Sequence, residues 1–476
     1  MALQQYRIRR FAGINQGLCE NWLESGESAD ACNMETADGG LTVAKGYVHQ
    51  SEVAFPAPDE IKRLFVWNRA AGKLFLVATR DKIYVLDETN ALWRLLYTFP
   101  GGSFEADRYD FQVLKIGSTE YLLIANGLSQ MAKWDGGTGD AVAFGTAEGL
   151  SDIHVNFVEL YFNRLFSAGD PDHPSRLYWS QAPGGARSIE SWSGVEEGEN
   201  VSGGYVDVGI DSDPITGLFA LSNQLVLLKR DSVFRLLGDR PSNFRILPVN
   251  AVMRQPVHTG CIRYGDLLYF LNAGGLYYYD GQTVRRQADS DKVRTFLETA
   301  DLTRTKSAVC RDRLYFATRE ACAANVSDVL LTYDLARGSY MLRRGFLTRD
   351  LFSCDGTLYL MDGGGYLCRF EEGGSYGGVR IDAWWRSPYT DMDTKIAQKR
   401  LMEMYLRGQG GLMLVTAEAG GKTVYYEHLP PGDGVMEIPL PVEGRVFRFG
   451  FRNVNGSRFR VDSGMEALMD MQRRVL

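Results

Sequence analysis

The feature that most constrains this chain is a recurring unit of strand, tight turn and strand, in which the third strand carries an aromatic near an Asp-Gly or similar turn. Residues 64–99 hold four short apolar runs, at 64–67, 74–78, 82–86 and 93–98, broken at Ala71-Gly72, Arg80-Asp81 and Glu88–Asn90. The pattern returns over 111–145, more loosely over 156–194, and again over 213–249, 258–288, 306–345 and 351–371, the last unit ending early. The third strands align best: IYVLDE, MAKWDG, LYWSQA, VFRLLG, LYYYDG, LLTYDL and YLCRFE. A fixed period in the range of about 20–50 residues marks a repeat architecture. A sheet of four short strands cannot bury both faces alone; stacked around an axis, each sheet is covered by its neighbours. The expected fold is therefore all-β, with a six- or seven-bladed β-propeller over 51–375; one large sandwich or two sandwiches is the competing arrangement. Segment 156–212 is rich in Gly, Ser and Pro and reads partly as loops on one face, which leaves the count between six and seven. The composition agrees: 52 Gly, 24 Tyr, 24 Phe and 8 Trp against 15 Pro suit many short strands joined by tight turns.

Residues 373–379, GGSYGGV, mark a boundary. Beyond it come IDAWWR at 381–386, a strand near 401–407, and LMLVTAEAG and KTVYYEHL joined at Gly420-Gly421. In RVFRFGFRNVNGSRFRV, Phe447, Phe449 and Phe451 fall on one face and Arg448 and Arg452 on the other. Asn455-Gly456 is a type I′ hairpin signal, and Phe459 and Val461 continue the apolar face. The pattern predicts a C-terminal antiparallel β-sandwich, jelly-roll-like, over 376–476. Residues 1–50 lack the blade pattern and are expected to form an extended N-terminal arm.

The formal charge of −7 argues against a generally basic nucleic-acid binder. The one local basic feature is Arg445, Arg448, Arg452, Arg458 and Arg460, followed by Arg473 and Arg474. It is either a contact patch for phosphate or an acidic neighbour, or the solvated face of a hairpin. No G-x-S-x-G, G-x-x-x-x-G-K-[ST], H-E-x-x-H or post-strand G-x-G-x-x-G occurs. The acid pairs Asp211/Asp213, Asp289/Asp291, Asp391/Asp393 and Glu196/Glu197 could serve glycan hydrolysis only if folding set two carboxyls about 5–9.5 Å apart; they read as turn residues. Ser353–Thr357 also reads as a turn, and Asp170–His173 is a weak cation candidate. The seven Cys form no C-x-x-C and are expected as reduced thiols. The five His lie far apart, so a zinc site could be assembled only by folding. The expectation is a non-enzymatic protein without cofactor or metal. The N-terminus has no apolar stretch behind its basic residues and is not read as a signal peptide; no apolar run is long enough to span a membrane.

Three groups near the start are specific: Phe11-Ala12-Gly13-Ile14-Asn15, then Glu27 through Asn33-Met34, then Gly39-Gly40-Leu41 with Lys45-Gly46-Tyr47. This run resembles the opening of tailed-bacteriophage virion proteins, loosely F-x-G-G-x-N, G-E-x-x-x-x-x-N, G-x-L and a basic residue before Gly. Ala12 replaces the first Gly, and Val43-Ala44-Lys45 stands in the usual Arg region. Trp384-Trp385, Ser387-Pro388, Lys399-Arg400-Leu401 and the Arg-rich strand with its Asn-Gly turn are similar to the terminal sandwich of the same proteins. The resemblance implies a virion structural protein of the tail (a tail nozzle or hub) or of the head-to-tail connector, made in the bacterial host cytoplasm. Its partners would be further copies of itself in a ring, neighbouring virion proteins such as portal, adaptor or tail proteins, and DNA passing without sequence-specific binding. Phe11, Gly13, Asn15, Asn33 and Gly46 would then be subunit-contact residues in an arm laid on a neighbour. The alternative is a carbohydrate-binding or glycan-hydrolysing propeller.

Overall fold

The computed structural model describes residues 2–100, 108–145, 153–184, 188–192, 202–249, 260–320, 326–430, 434–462 and 464–472. The expected blades are present. Arg63–Arg69, Gly72–Ala78, Lys82–Asp87 and Leu92–Thr98 pair in sequence order as one antiparallel sheet. Four more such sheets follow, starting at Asp110–Ile116, Phe157–Tyr161, Ile215–Leu221 and Cys261–Tyr264. The chain is thus an all-β protein with the four-stranded blades of a β-propeller. The second strand of each blade is the most apolar, because it lies between two neighbouring strands and under adjacent sheets: Gln224–Lys229 is buried at every position. Clusters of buried side chains fill the gaps between sheets, as where Trp67, Leu76 and Ile83 of one meet Leu122, Ile124 and Trp134 of the next.

The rest of the repeat merges into a nine-stranded sheet. Its long strand, Ser339–Cys354, pairs through its first half with Ser327–Asp334 and from Thr348 onward with Thr357–Asp362. One strand therefore serves two successive four-strand units. The next strand, Leu367–Phe370, finds its outer partner in the N-terminal segment.

That segment is not an extended arm. It holds five strands: β1 (Ala2–Ile8), β2 (Asp30–Cys32), β3 (Met34–Ala37), β4 (Gly40–Val43) and β5 (Tyr47–His49). β5 pairs with Leu367–Phe370, β1 with Met465–Gln472, β2 with Trp384–Arg386 and β4 with Phe459–Val461. Two sheets hold the remaining strands of the C-terminal region. One has five strands, ending at β2 and at Lys422–His428. The other has seven, running from β1 to β3, with Val435–Gly444 attached to Gln398–Gly410. Their apolar faces share one core, which includes Phe11, Met34, Phe449, Phe451, Phe459 and Met469. Pro439 and Pro441 are accommodated because Val435–Gly444 pairs on one side only.

The Asn455-Gly456 turn has the type I′ hand, with φ of 53° and 75° and Ser457 N–H donating to the Val454 carbonyl at 3.0 Å. It does not close a hairpin. Phe447–Asn453 belongs to the five-stranded sheet and Phe459–Val461 to the seven-stranded one, so the turn passes the chain between sheets. Gly373–Val379 is likewise not a spacer between bodies: Ser375–Tyr376 and Val379–Arg380 extend the nine-stranded sheet. No helix among the described residues is long and apolar enough to cross a membrane.

Asn33 ties these parts together. Its Nδ2 donates to the carbonyl oxygens of Arg344 at 2.9 Å and Asp382 at 2.7 Å, and its Oδ1 accepts from Arg344 N–H at 3.0 Å and the Tyr376 hydroxyl at 2.9 Å. Both amide donors and both carbonyl lone pairs are used. Asn33→Ala should lower the free energy of unfolding by about 2–4 kcal/mol, since it removes four hydrogen bonds of a buried side chain at once; Asn90→Ala, in an exposed turn, should cost less than about 1 kcal/mol. Urea unfolding of the two variants checks this, and equal midpoints would refute the role given to Asn33.

Candidate functional site

The first strand of each blade is its innermost. Arg63–Arg69 lies beside the second half of Ser339–Cys354, Asp110–Ile116 beside Phe157–Tyr161, and Cys261–Tyr264 beside Asp301–Cys310. Phe65 stacks on Phe111 at 4.7 Å and meets Phe352 edge-on at 4.9 Å, joining three first strands. Each of several first strands also turns one ionisable residue toward the others, and these form a charged cluster where the blades converge.

Asp350 is fully buried; it pairs with Arg63 at 3.2 Å and accepts Leu64 N–H at 2.6 Å. Lys306 Nζ donates to the Lys62 carbonyl at 2.8 Å. Asp110 accepts the N–H of Val158 at 3.0 Å and of Phe111 at 2.9 Å. Glu159 meets Arg263 at 3.3 Å, and the same guanidinium donates to the Ala220 carbonyl at 2.9 Å, so Arg263 reaches past the strand between them. Burial pushes the Asp110 carboxyl up to about 6. Burial, opposed by Arg263, brings Glu159 up to about 7. Burial, with Arg63, Arg108 and Lys62 nearby and only Asp350 opposing, brings Lys306 down to about 8. Convergent groups with displaced titrations are where a propeller could hold a polar ligand or move a proton. In this chain each is already engaged by a neighbour. The pattern missed these residues because each is a single ionisable residue inside an otherwise apolar strand; that interruption, repeated in the first strand of several units, was the available signal.

The five N-terminal residues expected to touch a neighbouring subunit face this chain's own interior instead. Phe11 packs edge-on to Trp385 at 5.0 Å and Phe451 at 5.7 Å. Asn15 Nδ2 donates to Glu27 at 2.8 Å, and Asn33 is saturated as described. A Cβ on Gly13 would overlap the Tyr340 carbonyl, and one on Gly46 the Ser375 carbonyl. The motif is thus a set of intrachain packing positions.

The Arg residues do not form one open patch. Arg448 is held by Glu20 at 3.2 Å and lies over the Tyr389 ring at 4.7 Å. Arg452 makes a bidentate pair with Asp382 at 3.1 and 2.9 Å. Arg460 pairs with Asp462 at 3.1 Å, and Arg458 donates to the Val43 carbonyl at 3.4 Å. Arg445 is exposed, while its carbonyl accepts from the buried Lys399 at 2.9 Å. Arg448 and Arg452 belong to one sheet, and Arg460 to the other. Arg473 and Arg474 lie outside the described residues.

The paired acids serve turns. Asp211 accepts from Ser175. Asp213 accepts from Asp231 N–H at 2.8 Å and Ser232 at 2.5 Å. Asp291 binds Arg286 and Arg294 at 2.8 and 2.7 Å, and these pairs hold its carboxyl far below the usual range. Asp391 accepts Asp393 N–H at 3.1 Å. Glu196 and Glu197 lie outside the described residues. Asp170 accepts from the Tyr178 hydroxyl at 2.6 Å, and Asp355-Gly356 is a hairpin turn with φ of 52° and 68°. Among the described residues, the grouping of three metal-ligating side chains is His49, Asp362 and Cys368.

No protein-family model matches the sequence, and no curated protein matches it. Among solved structures, the chain is similar to BamB from Moraxella catarrhalis, with 12 % identity over 78 % of this chain and 98 % of that one, at a TM-score of 0.39. It is also similar to the Pan2 WD40 domain of Neurospora crassa, with 9 % identity over 69 % and 97 %, at a TM-score of 0.45.

The charged cluster makes stability depend on pH. Asp110 and Glu159 titrate higher folded than unfolded, so their contribution is complete below about pH 4 and lost as pH rises through about 6 and 7. Lys306 titrates lower when folded, so its contribution is present above about pH 10 and lost as pH falls through about 8. The double variant Asp110→Asn, Glu159→Gln should therefore lose less stability than the native chain between about pH 4 and pH 7, by at most about 3 kcal/mol per group. Parallel stability profiles of the two proteins would count against the displaced titrations.

Proposed function

We propose that this chain is a structural component of a bacteriophage tail or head-to-tail connector, repeated as a ring around the DNA path and located in the virion. The observation that carries the reading is that the two ends bearing the virion-protein resemblance are strands of the same two sheets: β1 with Met465–Gln472, β2 with Trp384–Arg386, β4 with Phe459–Val461. The two motif sets thus belong to one packed unit.

Within this reading the propeller has seven blades: five separate four-stranded sheets, and two more sharing the strand Ser339–Cys354, the last completed by β5. The two terminal sheets act as a jelly-roll-like sandwich fused to it. Paired charges, with acids committed to turns, favour a rigid building block over a hydrolase. The net charge of −7 suits a lumen along which DNA slides without being gripped. Subunit contacts fall to exposed apolar residues of the sandwich in place of the N-terminal motif. Tyr425 is 69 % exposed and Val435 56 %, and Lys422–His428 is an edge strand. Such an edge suits a head-to-tail interface between copies, the kind that closes a ring.

Negative-stain images and light scattering of the purified chain should show rings, and Tyr425→Lys combined with Val435→Lys should shift them toward single subunits. A chain that stays monomeric at every concentration, and shows single discs only, would overturn the proposal.

A further inference from the structure

We infer that His49, Asp362 and Cys368 form a zinc-binding site that fastens β5 to the last strands of the propeller. The three residues lie 313 and 6 positions apart in sequence, and the fold brings one ligand atom of each to within 4.8 Å of the others. The register explains this. His49 on β5 stands directly opposite Cys368 in an antiparallel pair, which places their side chains on one face. Asp362 ends the adjacent strand, where Gly363-Gly364-Gly365 turns the chain back.

The geometry is fixed from outside the group. The His49 ring stacks on Tyr366 at 4.5 Å with an interplanar angle of 2°. Its Nδ1 also lies 3.8 Å from the exposed Glu52 carboxylate. One Asp362 oxygen, Oδ1, accepts the N–H groups of Gly364 and Tyr366, both at 2.9 Å, and the Tyr47 hydroxyl bonds to the same carboxylate, which together hold it in place. Cys368 and Asp362 are buried, while the His49 side chain is 23 % exposed and gives the ion a way in.

A thiolate, an imidazole and a carboxylate form a donor set suited to Zn²⁺, and three protein ligands leave a fourth tetrahedral position for water. Binding would release the Cys368 thiol proton to solvent. The ion would cross-link the N-terminal segment to two strands more than three hundred residues away. It would oppose fraying of the short β5 pairing, which has only three residue pairs.

The test uses the full chain, stripped with chelator and titrated with Co²⁺ alone, then with Zn²⁺ alone. One Co²⁺ per chain should bind with a thiolate-to-cobalt charge-transfer band and tetrahedral visible bands; Zn²⁺ should displace it and raise Tm. Cys368→Ser should abolish the charge-transfer band. His49→Gln, at the more exposed ligand, should weaken binding at least tenfold while near-ultraviolet circular dichroism stays native. Cys19→Ser, which removes an exposed thiol elsewhere, should leave the band intact. The site is refuted if the native chain shows no charge-transfer band, if Cys368→Ser keeps it, if His49→Gln binds as tightly as the native chain, or if Cys19→Ser loses it.

Discussion

A propeller built from repeated sheets must be closed, and here closure is carried by the N-terminal segment through a buried cation. Arg343 is 1 % exposed; it binds Glu35 and, at 2.7 Å, Glu371, and donates to the Lys45 carbonyl at 2.9 Å. Glu35 and Lys45 come from the N-terminal segment, Arg343 from the strand shared by two units, and Glu371 from the end of Leu367–Phe370. Burial opposes charge on Arg343, and the carboxylates of Glu371 and Glu35 overcome it, so the guanidinium is held well above its usual range. Removing one member of such a group leaves a buried charge without compensation, at a cost of about 3–5 kcal/mol. Between Glu35 and Lys45 the chain forms β3 and β4, and just after Lys45 it forms β5. The same clamp that closes the propeller therefore positions three of the five N-terminal strands.

The consequence is mechanical unity. The N-terminal segment contributes strands to three sheets, and its residues Phe11 and Met34 sit in a core that also holds Leu360 and Phe449. Blades and terminal sheets cannot move far apart without breaking that core. The paired charges between first strands, Arg63 with Asp350 and Glu159 with Arg263, stiffen the centre in the same way. A body joined in this manner suits a repeated structural unit.

Much of the blade structure was legible because it depends on local pattern. The runs at 64–67, 74–78, 82–86 and 93–98 match strands to within a residue or two, and the turns between them fall at the expected breaks. The terminal hairpin was read correctly as a turn and wrongly as a pairing. The turn type depends on Asn455 and Gly456 alone, whereas the partner of each flanking strand depends on which distant strand covers it. The N-terminal strands were invisible for a related reason. β2 and β5 have three residues each, too short for alternation to register, and their hydrogen-bond partners lie over three hundred residues away. Val435–Gly444 alternates strictly between exposed and buried, yet its two prolines disguise it as a loop.

Local pattern alone settled the short strands of the blades, their turns and the all-β character, since these follow from side-chain alternation and from residues that tolerate positive φ. Only the tertiary structure decided that the opening residues are interior, that the Arg residues at 448, 452, 458 and 460 are engaged within the chain, and that ionisable residues of separate blades converge. Those outcomes rest on contacts between residues hundreds of positions apart. Burial and charge neutralisation select such contacts only once the whole chain is folded, and no local window of sequence carries that information.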